Sequence, residues 1–334
     1  PGALTCIKNS TAPPLESFHP QARMRDDLSQ GRSPETLPQE RTVQHPDTCG
    51  AMAYKTILAY LPDPRLASTV LDVAVPLAEN HGAHLIGLHA KAFVEPYGVY
   101  GTIAAEIPPS VYRERQEDID QRAASVREIF DAANTRSGMG IEWRQAESIR
   151  SGFSRAIAQH GVTADLIVTG VANLDKTFDP WINTPVNVVM EAGRPVLMVP
   201  EVGQFKTVGR RATIAWNETR EAARAAFDAI PLLTSAESVK ILSIDTGSLR
   251  RWTKPTPGEG LALCLARHDI KCDVEHVTVQ NVGVGEEILG RADYDGADLL
   301  VMGCFGHNRL REYVFGGVTK YVMTHMSVPV LMSH

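Results

Sequence analysis

From residue 54 onward, short apolar runs alternate with longer stretches whose apolar residues recur at helical spacing. That alternation predicts an α/β fold on a mainly parallel sheet, its strands joined by right-handed crossovers. The predicted order opens with a strand at 56–60, a helix at 66–80 and a strand at 84–90. A long polar helix follows at about 112–134, then a strand at 141–146, a helix at 153–160 and strands at 165–170 and 195–200. The order then returns. Strands are predicted at 212–216, 239–245, 271–279, 298–303 and 329–332, with helices at 220–232, 258–267, 285–292 and 319–326.

Two stretches match directly. The run from Ala164 to Gly170, ADLIVTG, corresponds to ADLLVMG from Ala297 to Gly303, and Pro195-Val196-Leu197-Met198 corresponds to Pro329-Val330-Leu331-Met332. Such self-similarity reads as a duplicated unit. The offset is 133 there but 157 between Ile57 and Ile214, so the first half is expected to carry about 24 extra residues. They are placed near 93–116, where Pro96, Gly98, Gly101, Pro108 and Pro109 break any period. Two domains are expected, 52–203 and 208–334. Residues 1–51 hold seven of the 21 prolines among Ser, Gln, Arg and Asp, with no surviving period. They read as a disordered tail or as an extension outside the natural chain. The last strands of the halves are expected to pair within one chain, as a pseudo-dimer, or between chains of a homodimer.

Composition narrows the partners. Hydrophobic residues make up 43% and charged residues 22% of 334, which is globular. The formal net charge of −6 argues against a generic nucleic-acid or anionic-membrane surface. Five scattered cysteines suggest no disulfide framework. No apolar run reaches the ~18–20 residues of a membrane span, and no leader is legible, so a cytoplasmic protein is expected.

The most informative stretch is Gly303-Cys304-Phe305-Gly306, nine residues, then Gly316-Gly317-Val318-Thr319. It leaves a buried strand and enters a helix, so it opens at the carboxyl edge of the sheet, where α/β folds bind ligands. Free amides at the helix start suit an anion such as phosphate. The alternative is a glycine-rich turn that only reverses the chain.

On these residues the chain resembles the universal stress protein family, whose signature is Gly-x2-Gly-x9-Gly-(Ser/Thr). The resemblance spans residues 54–200 and 211–334. It implies two tandem Rossmann-like domains, each a doubly wound five-stranded parallel sheet, and ATP held with the glycine loop on its phosphates. It also implies an acidic residue at the end of the first strand, on the adenine side, and that position falls at Asn217. The implied ligand residues are Asn217, Met302, Gly303, Gly306, Gly316, Gly317, Val318 and Thr319. Arg309 and Arg311 are candidate phosphate contacts, and any metal is expected only as Mg2+ carried by the nucleotide. Gly317 replaces the signature hydroxyl, leaving Thr319 to supply one a turn later. In the first half only Gly170 remains. Asn173 and Asn183 replace the other glycines, and Pro185 removes an amide, so that half is expected not to hold nucleotide.

Cys264, His268 and Cys272 form a Cys-x3-His-x3-Cys pattern, but the thiols fall on different elements and no fourth ligand is evident, so no metal site is predicted. Arg220, Glu221 and Arg224 read as a solvated helix face. No nucleophile elbow, zinc-protease motif or P-loop is present, so no catalytic residue is assigned. The expected function is a stress-response regulator that binds ATP in its second domain. A nucleotide-free interaction module and a weak ATP hydrolase are the alternatives.

Overall fold

The computed structural model describes residues 53–92, 97–100, 103–106, 108–148, 152–172, 184–245, 256–279, 282–304 and 317–334. These all lie in the compact unit 48–334. The expected extension 1–51 lies outside the described residues.

The first strand shows why the sheet is central. In β1 (Thr56–Tyr60), Ile57 and Ala59 enter one apolar layer and Leu58 and Tyr60 the other, all buried. A strand covered on both faces reads as a continuous apolar run, as parallel sheets require. Helix α1 (Pro64–His81) follows. Asp63 caps it by accepting from the amides of Arg65 and Leu66 at 2.8 and 3.1 Å, and Gly82 closes it in the left-handed region at φ 58°.

Strands β2 (His84–Ala92), β5 (Glu142–Ser148), β6 (Leu166–Val171) and β7 (Val196–Pro200) complete the first half of the sheet, with helices α2 (Pro109–Ser137), α3 (Phe153–Gly161) and α4 (Thr184–Ala192). The second half holds β8 (Arg211–Trp216), β9 (Ser238–Asp245), β10 (Cys272–Thr278), β11 (Leu299–Gly303) and β12 (Val330–Ser333). Its helices are α5 (Arg220–Asp228), α6 (Ile230–Leu233), α7 (Glu259–Ala266), α8 (Val284–Tyr294) and α9 (Gly317–His325). The ten strands form one sheet in the order β10-β9-β8-β11-β12-β7-β6-β1-β2-β5. Either side of the β12–β7 contact, each set of five runs third, second, first, fourth, fifth.

All neighbours in this sheet pair in parallel except β12 and β7, which are antiparallel, with Val330 opposite Met198, Leu331 opposite Leu197 and Met332 opposite Val196. The two terminal strands therefore pair within the chain. One apolar layer takes side chains from α1, α2, α5, α6 and α7, the other from α3, α4, α8 and α9, so helices of both halves share each face. Further bonds cross the join. Tyr54 donates to the Asp228 carbonyl at 2.8 Å, and Arg224 donates to the Gly193 carbonyl at 3.0 Å.

The structure revises three expectations. Strand register equates Ile57 with Ala212, because they pair with the matching residues Leu166 and Leu299, so the halves are offset by 155 at this strand and the first is longer by 22 residues. Ile57 and Ile214 are both apolar on the same face, which hid the two-residue slip. Second, the period-breaking stretch holds an antiparallel hairpin, β3 (Tyr97–Tyr100) with β4 (Ile103–Glu106), and α2 already starts at Pro109, a residue suited to a first turn. Third, the helix expected at 220–232 breaks at Ala229 into α5 and α6. Pro231 has no amide to continue the ladder, and Leu232 instead donates to the Ala229 carbonyl at 2.9 Å.

Candidate functional site

Strands β8 and β11 are neighbours, with Ala215 opposite Met302, and β9 lies on the other side of β8. The chain thus departs to both sides of β8, and the crevice beyond its carboxyl end is the place where such sheets receive ligands. Three described elements frame it: the end of β8 with the start of α5, the end of β11, and the start of α9.

After Trp216 the chain turns sharply. Asn217 is exposed, Glu218 takes a left-handed φ of 59°, and Thr219 caps α5. The side-chain oxygen of Asn217 accepts twice, from the Thr219 amide at 3.3 Å and its hydroxyl at 2.8 Å. The Thr219 hydroxyl in turn accepts from the Ala222 amide at 3.3 Å. Short polar side chains before a helix fold this way because they satisfy amides that the helix leaves free.

Glu221 departs from the expected solvated face. It is 4% exposed and ion-paired with Arg220. Burial alone would raise its carboxyl, but hydrogen bonds from Arg220, its own amide and Thr219, with the Arg220 charge, outweigh that and hold it below the usual carboxylate range. A Glu two residues after a Thr cap was the available signal, and the surrounding Ala and Arg masked it.

At the end of β11, Met302 is buried and Gly303 half-buried. A Cβ on Gly303 would stand 2.5 Å from the Ala222 amide nitrogen and 2.6 Å from the Glu221 carbonyl carbon. The first turn of α5 thus packs directly onto Gly303, a reason for glycine that needs no ligand. Gly170, the retained glycine of the first half, has the same kind of reason: its Cβ would meet the Leu66 side chain at 2.9–3.2 Å.

Cys304 is buried, and burial pushes its thiol up to about 12 against a smaller opposing hydrogen bond from Thr319. Thr319 itself is 4% exposed. Its hydroxyl, which the sequence offers to phosphate, thus lies in a buried place beside Cys304. Gly317, the first residue of α9, is exposed and outside the left-handed region, and no described residue lies within 4 Å of a would-be Cβ. Val318 packs at the edge of the apolar layer. Gly306, Arg309, Arg311 and Gly316 lie outside the described residues, as do Asn173 and Asn183.

The crevice of the first half is built differently. By strand register Pro62 stands where Asn217 does, and Pro185 occupies the second residue of α4. Elsewhere, a cavity of about 240 Å³ lies between α1 and residues 205–210, but its charged pair, Arg210 with Glu237, is satisfied internally and none of the candidate residues lines it. Among the described residues no His, Cys, Asp and Glu group could hold a metal ion, and no helix is long and apolar enough to cross a membrane.

Comparison with known proteins places this geometry. The model of the universal stress protein family matches residues 217–334. Universal stress protein Slr1230 of Synechocystis sp. is 47% identical over 51 residues, a stretch covering 15% of this chain and 18% of that relative. A universal stress protein structure from Archaeoglobus fulgidus aligns with a TM-score of 0.59 at 13% identity, covering 83% of this chain and 95% of its own. A putative universal stress protein from Pseudomonas aeruginosa aligns at 0.53 and 16% identity, covering 84% and 93%. At those identities the structures speak for the fold, an α/β arrangement on a mostly parallel sheet. Residues 217–334 thus match the universal stress protein family in sequence, and the described residues as a whole share the α/β fold of these structures.

Proposed function

We propose that this protein is a stress-response regulator that binds one purine nucleotide, ATP by resemblance, in the crevice of its second half. The reading treats 52–203 and 208–334 as two domains of one kind, of which only the second keeps a ligand site. The observation that carries it is the open start of α9. Among the described residues nothing crowds Gly317, which opens helix amides at the carboxyl edge of β8 and β11, the setting that suits a phosphate. In the first half, Pro62 and Pro185 each remove a polar or amide contact from the equivalent places.

Occupancy, not turnover, is the proposed signal, with Mg2+ arriving only on the nucleotide. The protein acts in the cytoplasm as a single chain, because β7 and β12 already pair with each other as two subunits otherwise would. Protein purified natively and denatured in acid should release adenine nucleotide at up to one equivalent per chain. Failure to retain nucleotide, together with no uptake on addition of millimolar ATP, would favour the nucleotide-free interaction module.

A further inference from the structure

We propose that Asn217 presents the base with a hydrogen-bond donor and no acceptor, so that 6-oxopurine nucleotides bind at least as tightly as ATP. The inference rests on the nucleotide reading above and specifies its base.

The polarity of Asn217 is fixed by its neighbours. A main-chain N–H can only donate, so the group facing the Thr219 amide at 3.3 Å must be the side-chain oxygen. The Thr219 hydroxyl accepts from the Ala222 amide and shares its proton between the same Asn217 oxygen, at 2.8 Å, and the Glu221 carboxylate. That oxygen is then directed at Thr219, facing both its amide and its hydroxyl. What remains on this exposed side chain is the NH2 group, which has no partner among the described residues.

The base end of the crevice also follows from charge. Two helices, α5 and α9, start at it, and free amides at a helix start attract phosphate. The first turn of α5 carries the buried carboxylate of Glu221 beside the exposed Arg220 that pairs with it, so the two charges offset each other and add little to the attraction for an anion. The first turn of α9 carries no acidic residue. Phosphate therefore belongs to α9 and the base to the α5 side, beside Asn217.

An asparagine selects adenine by using both its groups, accepting from the 6-amino group and donating to a ring nitrogen. Here the accepting group is spent on Thr219. A 6-amino group would meet a donor with a donor, whereas a 6-oxo group supplies the acceptor that the NH2 needs. Adenine can still be held through a ring nitrogen, without gain from its amino group.

The test compares ATP with ITP, which differ at this position, on the full chain and on Asn217→Asp. Aspartate keeps the acceptor for Thr219 and replaces the NH2 with oxygen, so the cap survives, and a matched melting temperature verifies that. The wild-type chain should bind ITP at least as tightly as ATP by calorimetry. Asn217→Asp should shift the affinity ratio about tenfold toward ATP. A wild-type preference for ATP of tenfold or more, or a ratio that Asn217→Asp leaves unmoved, overturns the proposal and leaves nucleotide binding standing. Binding of neither nucleotide at millimolar concentration overturns both.

Discussion

Gly317 opens α9 outside the left-handed region, with no described residue within 4 Å of a would-be Cβ. Neither backbone strain nor packing against the described residues therefore demands glycine there. A serine would fit, cap one free helix amide and set a hydroxyl beside the bound phosphates. Gly317→Ser should leave the melting temperature unchanged or higher and tighten ATP by about 1.5–3 kcal/mol at most, the worth of a hydrogen bond to a charged group. Calorimetry with thermal denaturation checks both, and an unchanged melting temperature with weaker binding would contradict this account. Gly303 is glycine for another reason. Its would-be Cβ collides with main-chain atoms of α5, which cannot swing aside, whereas the Cβ of Gly170 meets only a Leu66 side chain. Gly303→Ala should cost about 1–3 kcal/mol in urea unfolding and Gly170→Ala less, as overpacking against backbone exceeds overpacking against a side chain. Equal costs would show that α5 can retreat from the strand.

Among the elements, α5 does most to join site and scaffold. Its start, with the preceding Asn217, the cap Thr219 and Glu221, stands at the crevice, and its last turn meets the other half through Asp228 and Tyr54. Thr219→Ala removes the cap and one of the two donors that orient Asn217. It should cost about 0.5–2 kcal/mol of stability, measured by denaturant unfolding, and a loss confined to nucleotide affinity would show the cap to be dispensable to the fold. Much of this level was legible. Alternating apolar runs placed the strands of the large sheet to within a few residues, because buried parallel strands leave a dense apolar signature. Less local features were not. The hairpin of Tyr97–Tyr100 with Ile103–Glu106 is too short for its period to stand out among prolines and glycines, and the break at Ala229 depends on one proline inside an otherwise helical run. At the site, the glycine spacing pointed to the end of β11, but two contacts were invisible in one dimension. Glu221 and Thr319 both lie buried, set by which helix packs on which strand.

At the scale of the whole molecule, the antiparallel contact of β7 with β12 makes one sheet of two like sets of strands. The outer edges, β5 and β10, carry Glu142, Arg144 and Glu147 on one side and Asp273, Glu275 and His276 on the other. Charged edges resist pairing with another sheet. Light scattering should therefore return the mass of one chain, and a stable dimer would show that another surface carries assembly. The same join sets two crevices in one body, only one of which keeps Asn217 and an α9 start free of proline. The most direct measurement is the stoichiometry of nucleotide binding by titration calorimetry of the full chain with ATP. One site per chain, abolished by substitutions in the second half and untouched by those at Pro62 or Pro185, is the predicted result. Two equivalent sites per chain would contradict it.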